Sequence, residues 1–522
     1  MAPIHTIGLA LLAFTTIVYA LKRALASLKT PLPLPPGPKG LPIVGNINDL
    51  PPSDTLECKH YAKFKDLYGP LSSLTIFGNT IIIINDLSMA FQLLRDRASL
   101  HSSRPHSVFA HDMCGWNEST GLLPYGETLK IQRKNLAKVV GSKTSLLTFN
   151  RAQEAEAAHF LINVLEKPEG LFEHIRKEAA SVVLKIVYGY TTSRGKDPLT
   201  DLANQCMAEL NDSLKPERLL FNVFPFLRHL PSFLPFQRTA HNYRRNAHRA
   251  IEQPYAFVLS QLASKRAKPS YMSQAISSFG TDIESEANHK FSALSMYLGG
   301  SDTTVSSLMT FFLAMMCFPD VQKRAQEEID NVIEKGSLPG CEDRERLPYI
   351  EAIVKETLRW HPVAPTGLPH QSTAEDIYRG YRIPKGSQLI PNLWLFTRDP
   401  AIYPSPETFD PSRYLTTPPA PDPRTYTFGF GRRICPGRLV ADNALFVTIA
   451  QALAVFDIKK PIVDGRVLEP EIRFTTGTIS QPMPYKVSVT PRSTAHEELI
   501  RKCEEQFPWE ESDAEVLEGV RW

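Results

Sequence analysis

The sequence predicts a mainly α-helical protein with a smaller β portion, preceded by one N-terminal membrane-crossing helix. Three observations carry this. Most periodic segments space their apolar residues as helices do. One β-branched run, Asn79 to Asp86, reads as a strand bounded by turn formers. And Ile4 to Leu21 contains no lysine, arginine, aspartate or glutamate.

The charge-free segment, residues 4–21, is about the length that spans a thin bilayer as a helix. Lys22, Arg23 and Lys29 come after it, and no lysine or arginine precedes it. The positive-inside rule therefore places the rest of the chain in the cytosol. A cleaved signal peptide would carry its charges ahead of the apolar core, so the segment reads as a retained anchor.

Residues 31–44 form a proline-rich hinge, with six prolines between Pro31 and Pro42. Such a stretch favours a stiff, extended spacer. Beyond the hinge no Gly/Ser linker, low-complexity break or repeat interrupts the chain, so residues 45–495 read as one catalytic domain. Within it, "RLPYIEAIVKETLRW" (Arg346 to Trp360) and "GRLVADNALFVTIAQALAVF" (Gly437 to Phe456) read as helices. Residues 496–522 carry nine acidic and three basic side chains and read as a solvated acidic C-terminal tail.

A net charge of +3 on 522 residues excludes nucleic acid as an expected partner. Seven cysteines, odd in number and without a C-x-x-C pair, exclude a disulfide framework or zinc site and fit reduced thiols.

One cysteine has unusual company. "FGFGRRICPG", Phe428 to Gly437, places Cys435 where a loop becomes a helix. The helix N-terminus and Arg432, Arg433 and Arg438 favour an anion there, so Cys435 is expected to be a thiolate. Gly429, Gly431 and Gly437 allow tight turns and close backbone approach. A thiolate so placed serves as a nucleophile, a redox thiol or a metal ligand. Hydrogen-bonding amides behind the sulfur, with an arginine beside it for a carboxylate, suit haem iron and a haem propionate.

Phe428, Gly431, Arg433, Cys435 and Gly437 fit F-x-x-G-x-R-x-C-x-G, and the chain resembles the haem-thiolate monooxygenases of the cytochrome P450 superfamily. Glu356 and Arg359 resemble the family's E-x-x-R pair, with Arg413 in "FDPSRYL" as the third member of a buried structural cluster. "LGGSDTT" (Leu298 to Thr304) resembles its oxygen-binding helix. There Gly299 and Gly300 would bring the helix close to the haem, and Asp302 and Thr303 would relay protons. A close helix–helix crossing is the plainer use of the two glycines.

The resemblance implies haem b, its iron axially ligated by Cys435, with the carboxylates held by Arg433, His370 and Arg133. One departure stands out: Leu129 occupies the position four residues before Arg133 where the family usually has tryptophan. The resemblance also implies the endoplasmic reticulum membrane, a single pass and a cytosolic catalytic domain. Electrons would come from an NADPH-cytochrome P450 reductase, and cytochrome b5 is a second candidate donor. The basic stripe Lys130, Lys134 and Lys138 would serve as docking face. A hydrophobic substrate, in the manner of fungal secondary-metabolism members, is expected in a pocket built from five segments. These are Pro105 to Gly121, Met207 to Pro235, the turn of Met296 and Tyr297, Val363 to Thr366, and Phe474 to Ile479. "FPFLRHLPSFLPF" would dip into the membrane surface. Competing readings are a haem-thiolate isomerase or dehydratase, a peroxide-driven enzyme, and a non-catalytic haem sensor.

Overall fold

A computed structural model describes residues 32–522 apart from 53, 143, 145, 146, 280 and 281. The expected anchor, residues 4–21, lies outside the described residues. The main helices are α1 (Glu57–Tyr68), α2 (Glu127–Val140), α3 (Asn150–Glu166), α4 (Leu171–Tyr188), α5 (Pro198–Ser213), α6 (Pro235–Ala263), α7 (Ile283–Cys317), α8 (Pro319–Val332), α9 (Pro348–Trp360), α10 (Arg438–Val455) and α11 (Thr494–Gln506).

At the centre of the fold runs α7, 35 residues long. Every residue from Thr304 to Met316 is buried, so this half has no polar face and sits inside the protein. Phe318 and Pro319 end it and start α8, as a pre-proline residue and an N-terminal proline should. Along its first half α4 packs antiparallel. Tyr188 meets Tyr297 edge to face at 5.9 Å, and Val183 lies against Gly300. Among the described residues α10 is long and apolar enough to cross a membrane, yet 67% of it is buried inside the protein: it is a core helix.

The β portion centres on a four-stranded sheet in the order β1-β2-β4-β3, with β1 Leu71–Ile76, β2 Asn79–Ile84, β3 His370–Gln371 and β4 Gln388–Pro391. Phe77 (φ 46) and Gly78 (φ 83) make the β1–β2 hairpin turn. The isoleucine run has a simple cause. Ile82 and Ile84 pack into one apolar cluster and Ile81 and Ile83 into another, so both faces of β2 are covered. Through β3 the sheet carries His370 to the wall of the protein's large apolar cavity.

Two expectations are corrected. The described part of the proline-rich stretch is extended but not a free spacer. Arg382 N–H donates to Pro33 O (2.8 Å), Ser73 N–H to Pro36 O (2.8 Å) and Ser73 Oγ to Pro35 O (2.6 Å), which pins it to β1 and to the separate strand Tyr381–Ile383. The C-terminal segment is not a solvated tail. Its charges hide inward apolar positions: Ile500, Cys503 and Leu517 are buried. Trp509 stacks on His159 at 3.8 Å, Glu510 pairs with Lys268 at 3.0 Å and with Lys185, and Asp513 accepts from Thr191 N–H at 2.8 Å.

Candidate active site

The loop 428–437 closes on itself. Cys435 N–H donates to Phe428 O (2.8 Å) and Arg433 N–H to Phe430 O (3.0 Å). Gly431 has φ 52, and a Cβ there would lie 2.5 Å from Leu94 O, so the loop is clamped onto residues 91–98. Phe430 is locked edge to face with Phe91. Gly437 differs. Its φ is −85, and a Cβ there would meet nothing within 4 Å. It is not needed for a turn; it keeps cavity space open and its N–H faces the Cys435 sulfur.

Above this loop lies a cavity of about 390 Å3. Cys435, Phe428, Val440, Ala441 and Leu445 form one side; Gly299, Gly300, Thr303, Thr304 and Ser307 of α7 form the other. Burial pushes the Cys435 thiol up, and the Gly437 N–H, Arg133 and Arg438 only partly counter it. The helix N-terminus and the arginines therefore do not by themselves offset desolvation of the sulfur, and coordination to a metal would complete the expected thiolate.

One edge of the cavity is cationic. Arg433 is buried and donates to Ser102 O and Leu123 O (2.6 Å each). Arg133 donates to Ile434 O (3.0 Å), and His370 Nδ1–H donates to His101 O (2.7 Å). Leu129 is buried on α2. The structure adds Arg104, which sequence reasoning missed. It is buried, lines the cavity, and donates to Leu368 O and Pro369 O (2.7 Å each). No carboxylate pairs with Arg104, Arg133 or Arg433 among the described residues. Burial and the neighbouring guanidiniums push Arg104 well down and Arg433 down to about 10. Two buried guanidiniums and a half-buried third, none paired with an acid among the described residues, favour an anionic ligand. A haem, with two carboxylates at one edge and an iron within reach of a sulfur, fits this donor set.

The two glycines of α7 divide their work. A Cβ on Gly300 would lie 2.5 Å from Val183 Cγ2, so Gly300 makes the helix crossing. A Cβ on Gly299 would meet nothing within 4 Å, so Gly299 leaves room in the cavity. Thr303 lines the cavity and its Oγ1 donates to Gly299 O (2.6 Å). Asp302 turns away: its Oδ1 accepts from Gln481 Nε2 at 2.6 Å. Burial pushes the Asp302 carboxyl up, against the Gln481 bond and Arg176. Thus Asp302 and Thr303 are neighbours in sequence but not joined here.

The wall differs from expectation. Val182, Val183, Ile186 and Val187 of α4 line the cavity, with Met296, Val363, Ala364, Leu368 and Ile479. Tyr297 does not; its hydroxyl bonds to Leu199 O and its ring packs on Tyr188. Phe474 stacks on His361 at 3.5 Å instead, and residues 207–235 stay outside. Apolar composition along the chain could not separate cavity walls from core.

Behind the loop, Arg359 holds Glu356 through Nε (2.7 Å) and Nη2 (2.8 Å), and Arg413 Nε reaches Glu356 Oε1 at 3.3 Å. Tyr414 and the Asp410 N–H complete the carboxylate's shell. His361 bonds to Ser480 Oγ (2.9 Å) and is structural.

Comparison with known proteins agrees with this geometry. The family model described as Cytochrome P450 matches residues 35–489. The chain is 43% identical over 476 residues to Cytochrome P450 monooxygenase claR of Ampulloclitocybe clavipes, covering 90% of this chain and 88% of that one. It is 41% identical over 532 residues to Cytochrome P450 monooxygenase ppsD of Aspergillus oryzae, covering all of both. It is 39% identical over 506 residues to O-methylsterigmatocystin oxidoreductase of Aspergillus flavus, covering 95% of each.

Proposed function

This chain belongs to the cytochrome P450 family, and from that premise we propose that it oxidises a hydrophobic small molecule of fungal secondary metabolism, with electrons from an NADPH-dependent reductase. The chain is a monooxygenase whose cofactor is a haem with cysteine-ligated iron. The observation that carries the assignment of the site is one juxtaposition: Cys435 at the floor of a cavity whose edge holds buried arginines without acids.

In this reading Cys435 holds the iron, and Arg104, Arg133, Arg433 and His370 hold the two carboxylates. When bound, thiolate-ligated haem supplies dioxygen activation and insertion of one oxygen atom into the substrate. The chain's residues do the rest. The α4 and α7 walls exclude water and hold an apolar substrate above the cofactor. Thr303 keeps a hydroxyl on the cavity face of α7. Asp302 brings protons from outside to that hydroxyl, as general acid catalysis requires.

Lys130, Lys134 and Lys138 are exposed on α2, on the outer side of the helix that carries Arg133, which supports docking of an acidic electron donor there. Membrane attachment through residues 4–21 is supported by charge order. A second contact is supported by exposed Phe226 (61%) and Phe233 (66%).

Reduced, haem-loaded protein with carbon monoxide should absorb at about 450 nm, and Cys435→Ala should abolish the band. Turnover under labelled dioxygen with NADPH and reductase, on extracts of the producing organism, should label the product. Unlabelled product from the same extracts would overturn the proposal.

A further inference from the structure

Asp302 and Ser306 are four residues apart on α7 and therefore share one face. That face meets the turn 475–481. Gln481 Nε2 donates to Asp302 Oδ1 (2.6 Å), and Ser306 Oγ donates to Ser480 O (2.7 Å). Thr303, one residue on, is about 100° further round the helix and faces the cavity.

The turn is rigid. Thr475 N–H donates to Gln481 O (2.8 Å) and Gln481 N–H to Thr475 Oγ1 (3.0 Å). Ser480 is fully buried, with N–H on Val363 O (2.9 Å) and its hydroxyl on Thr475 O (2.8 Å) and His361. Gln481 is thus presented on a closed scaffold.

We propose that Gln481 is a positioning residue: it anchors the Asp302 carboxylate outside the cavity at rest, and each proton delivery requires that carboxylate to leave Gln481 for the Thr303 side. The inference rests on the reading of Asp302 as the acid of the relay. The turn 475–481 carries no titratable side chain, and Arg176 of α4 is the charged group that acts on Asp302. The Gln481 bond favours the ionised carboxylate, so its loss leaves Asp302 protonated to higher pH.

The test uses haem-loaded full-length protein, NADPH and an NADPH-dependent reductase. Two quantities are followed against pH: the NADPH oxidation rate, and the infrared band of the protonated Asp302 carboxyl, identified by its loss in Asp302→Asn. Asp302→Asn should slow oxidation on the order of a hundredfold. Gln481→Leu should move both the band's titration and the rate profile to higher pH, with the carbon monoxide band unchanged. Gln481→Glu, nearly isosteric and like-charged, should move them further and decides the matter if the leucine variant fails to bind haem.

If Asp302→Asn oxidises NADPH at the parent rate, the relay reading falls and this inference with it. If Asp302→Asn is slow but both Gln481 variants keep the parent band and profile, the relay stands and the anchor is overturned.

Discussion

Glu356 and Arg359, three residues apart on α9, face each other through two hydrogen bonds of 2.7 and 2.8 Å with neither side chain exposed to solvent. An i,i+3 pair on a wet helix surface adds only a few tenths of a kcal/mol. Here Arg359 also donates to Thr397 O (2.9 Å), Pro406 O (2.8 Å) and Thr408 O (3.2 Å), so one guanidinium ties the helix to a distant segment. Glu356→Ala leaves two buried arginines without their carboxylate. It should cost about 3–5 kcal/mol in denaturant unfolding and lower haem content. Arg398→Ala, at the side of the same segment but paired with the exposed Glu407, should cost far less for its ion pair.

The adjacent glycines of α7 should respond oppositely to alanine. Gly300→Ala puts a methyl 2.5 Å from Val183 Cγ2, and overpacking of this kind costs about 1–3 kcal/mol. The double variant with Val183→Ala should recover part of that loss. Gly299→Ala meets no protein atom and gains helix propensity of about 0.5–1 kcal/mol. It should therefore raise the unfolding midpoint of the haem-free protein while weakening haem uptake, because its methyl enters the cavity. Equal destabilisation by both single variants would contradict the division of roles.

What can be read from the chain is local. The loop around Cys435, the strand of isoleucines and the helices of Glu356 and Asp302 announce themselves within about 20 residues. Arg104 does not: two of its three carbonyl partners are 264 and 265 residues away, and nothing near "SSRPHS" distinguishes it from a surface arginine. Gln481 is 179 residues from Asp302 and is hidden for the same reason. The C-terminal segment defeats a charge count because such a count ignores spacing: Ile500, Cys503 and Leu517 point inward while the acids surround them. A count of arginines around Cys435 misses desolvation, which opposes them at the thiol.

Arg104 should matter to the holoprotein and not to the fold alone. Its guanidinium is repelled by Arg433 and Arg133, so the empty cavity gains little electrostatically from keeping it. A charge-assisted hydrogen bond to a haem carboxylate is worth about 1.5–3 kcal/mol. Arg104→Ala should therefore speed haem transfer to apomyoglobin by about tenfold or more. Haem loss at the parent rate would remove Arg104 from the carboxylate grip.

Glu510 gives the C-terminal segment an acid-sensitive latch. Burial would raise its carboxyl, but hydrogen bonds and charge from Lys185 and Lys268 outweigh that and hold it down at about 2, against an ordinary 4.5. The carboxylate is thus easier to ionise in the folded protein than in the unfolded one. Its contribution to docking is complete above about pH 4.5 and is lost as pH falls towards 2. Because Glu510 is 43% exposed, that contribution is modest and weakens with salt. Acidification should release Trp509 from its stack on His159 before the haem site fails, as a fluorescence change present in the parent and absent from Trp509→Phe. His159 and Asp513 also belong to this contact, so Glu510→Gln is the discriminating variant. It should weaken docking near neutral pH and flatten the change below pH 4.5. An unchanged acid profile in Glu510→Gln would assign the latch to the other groups.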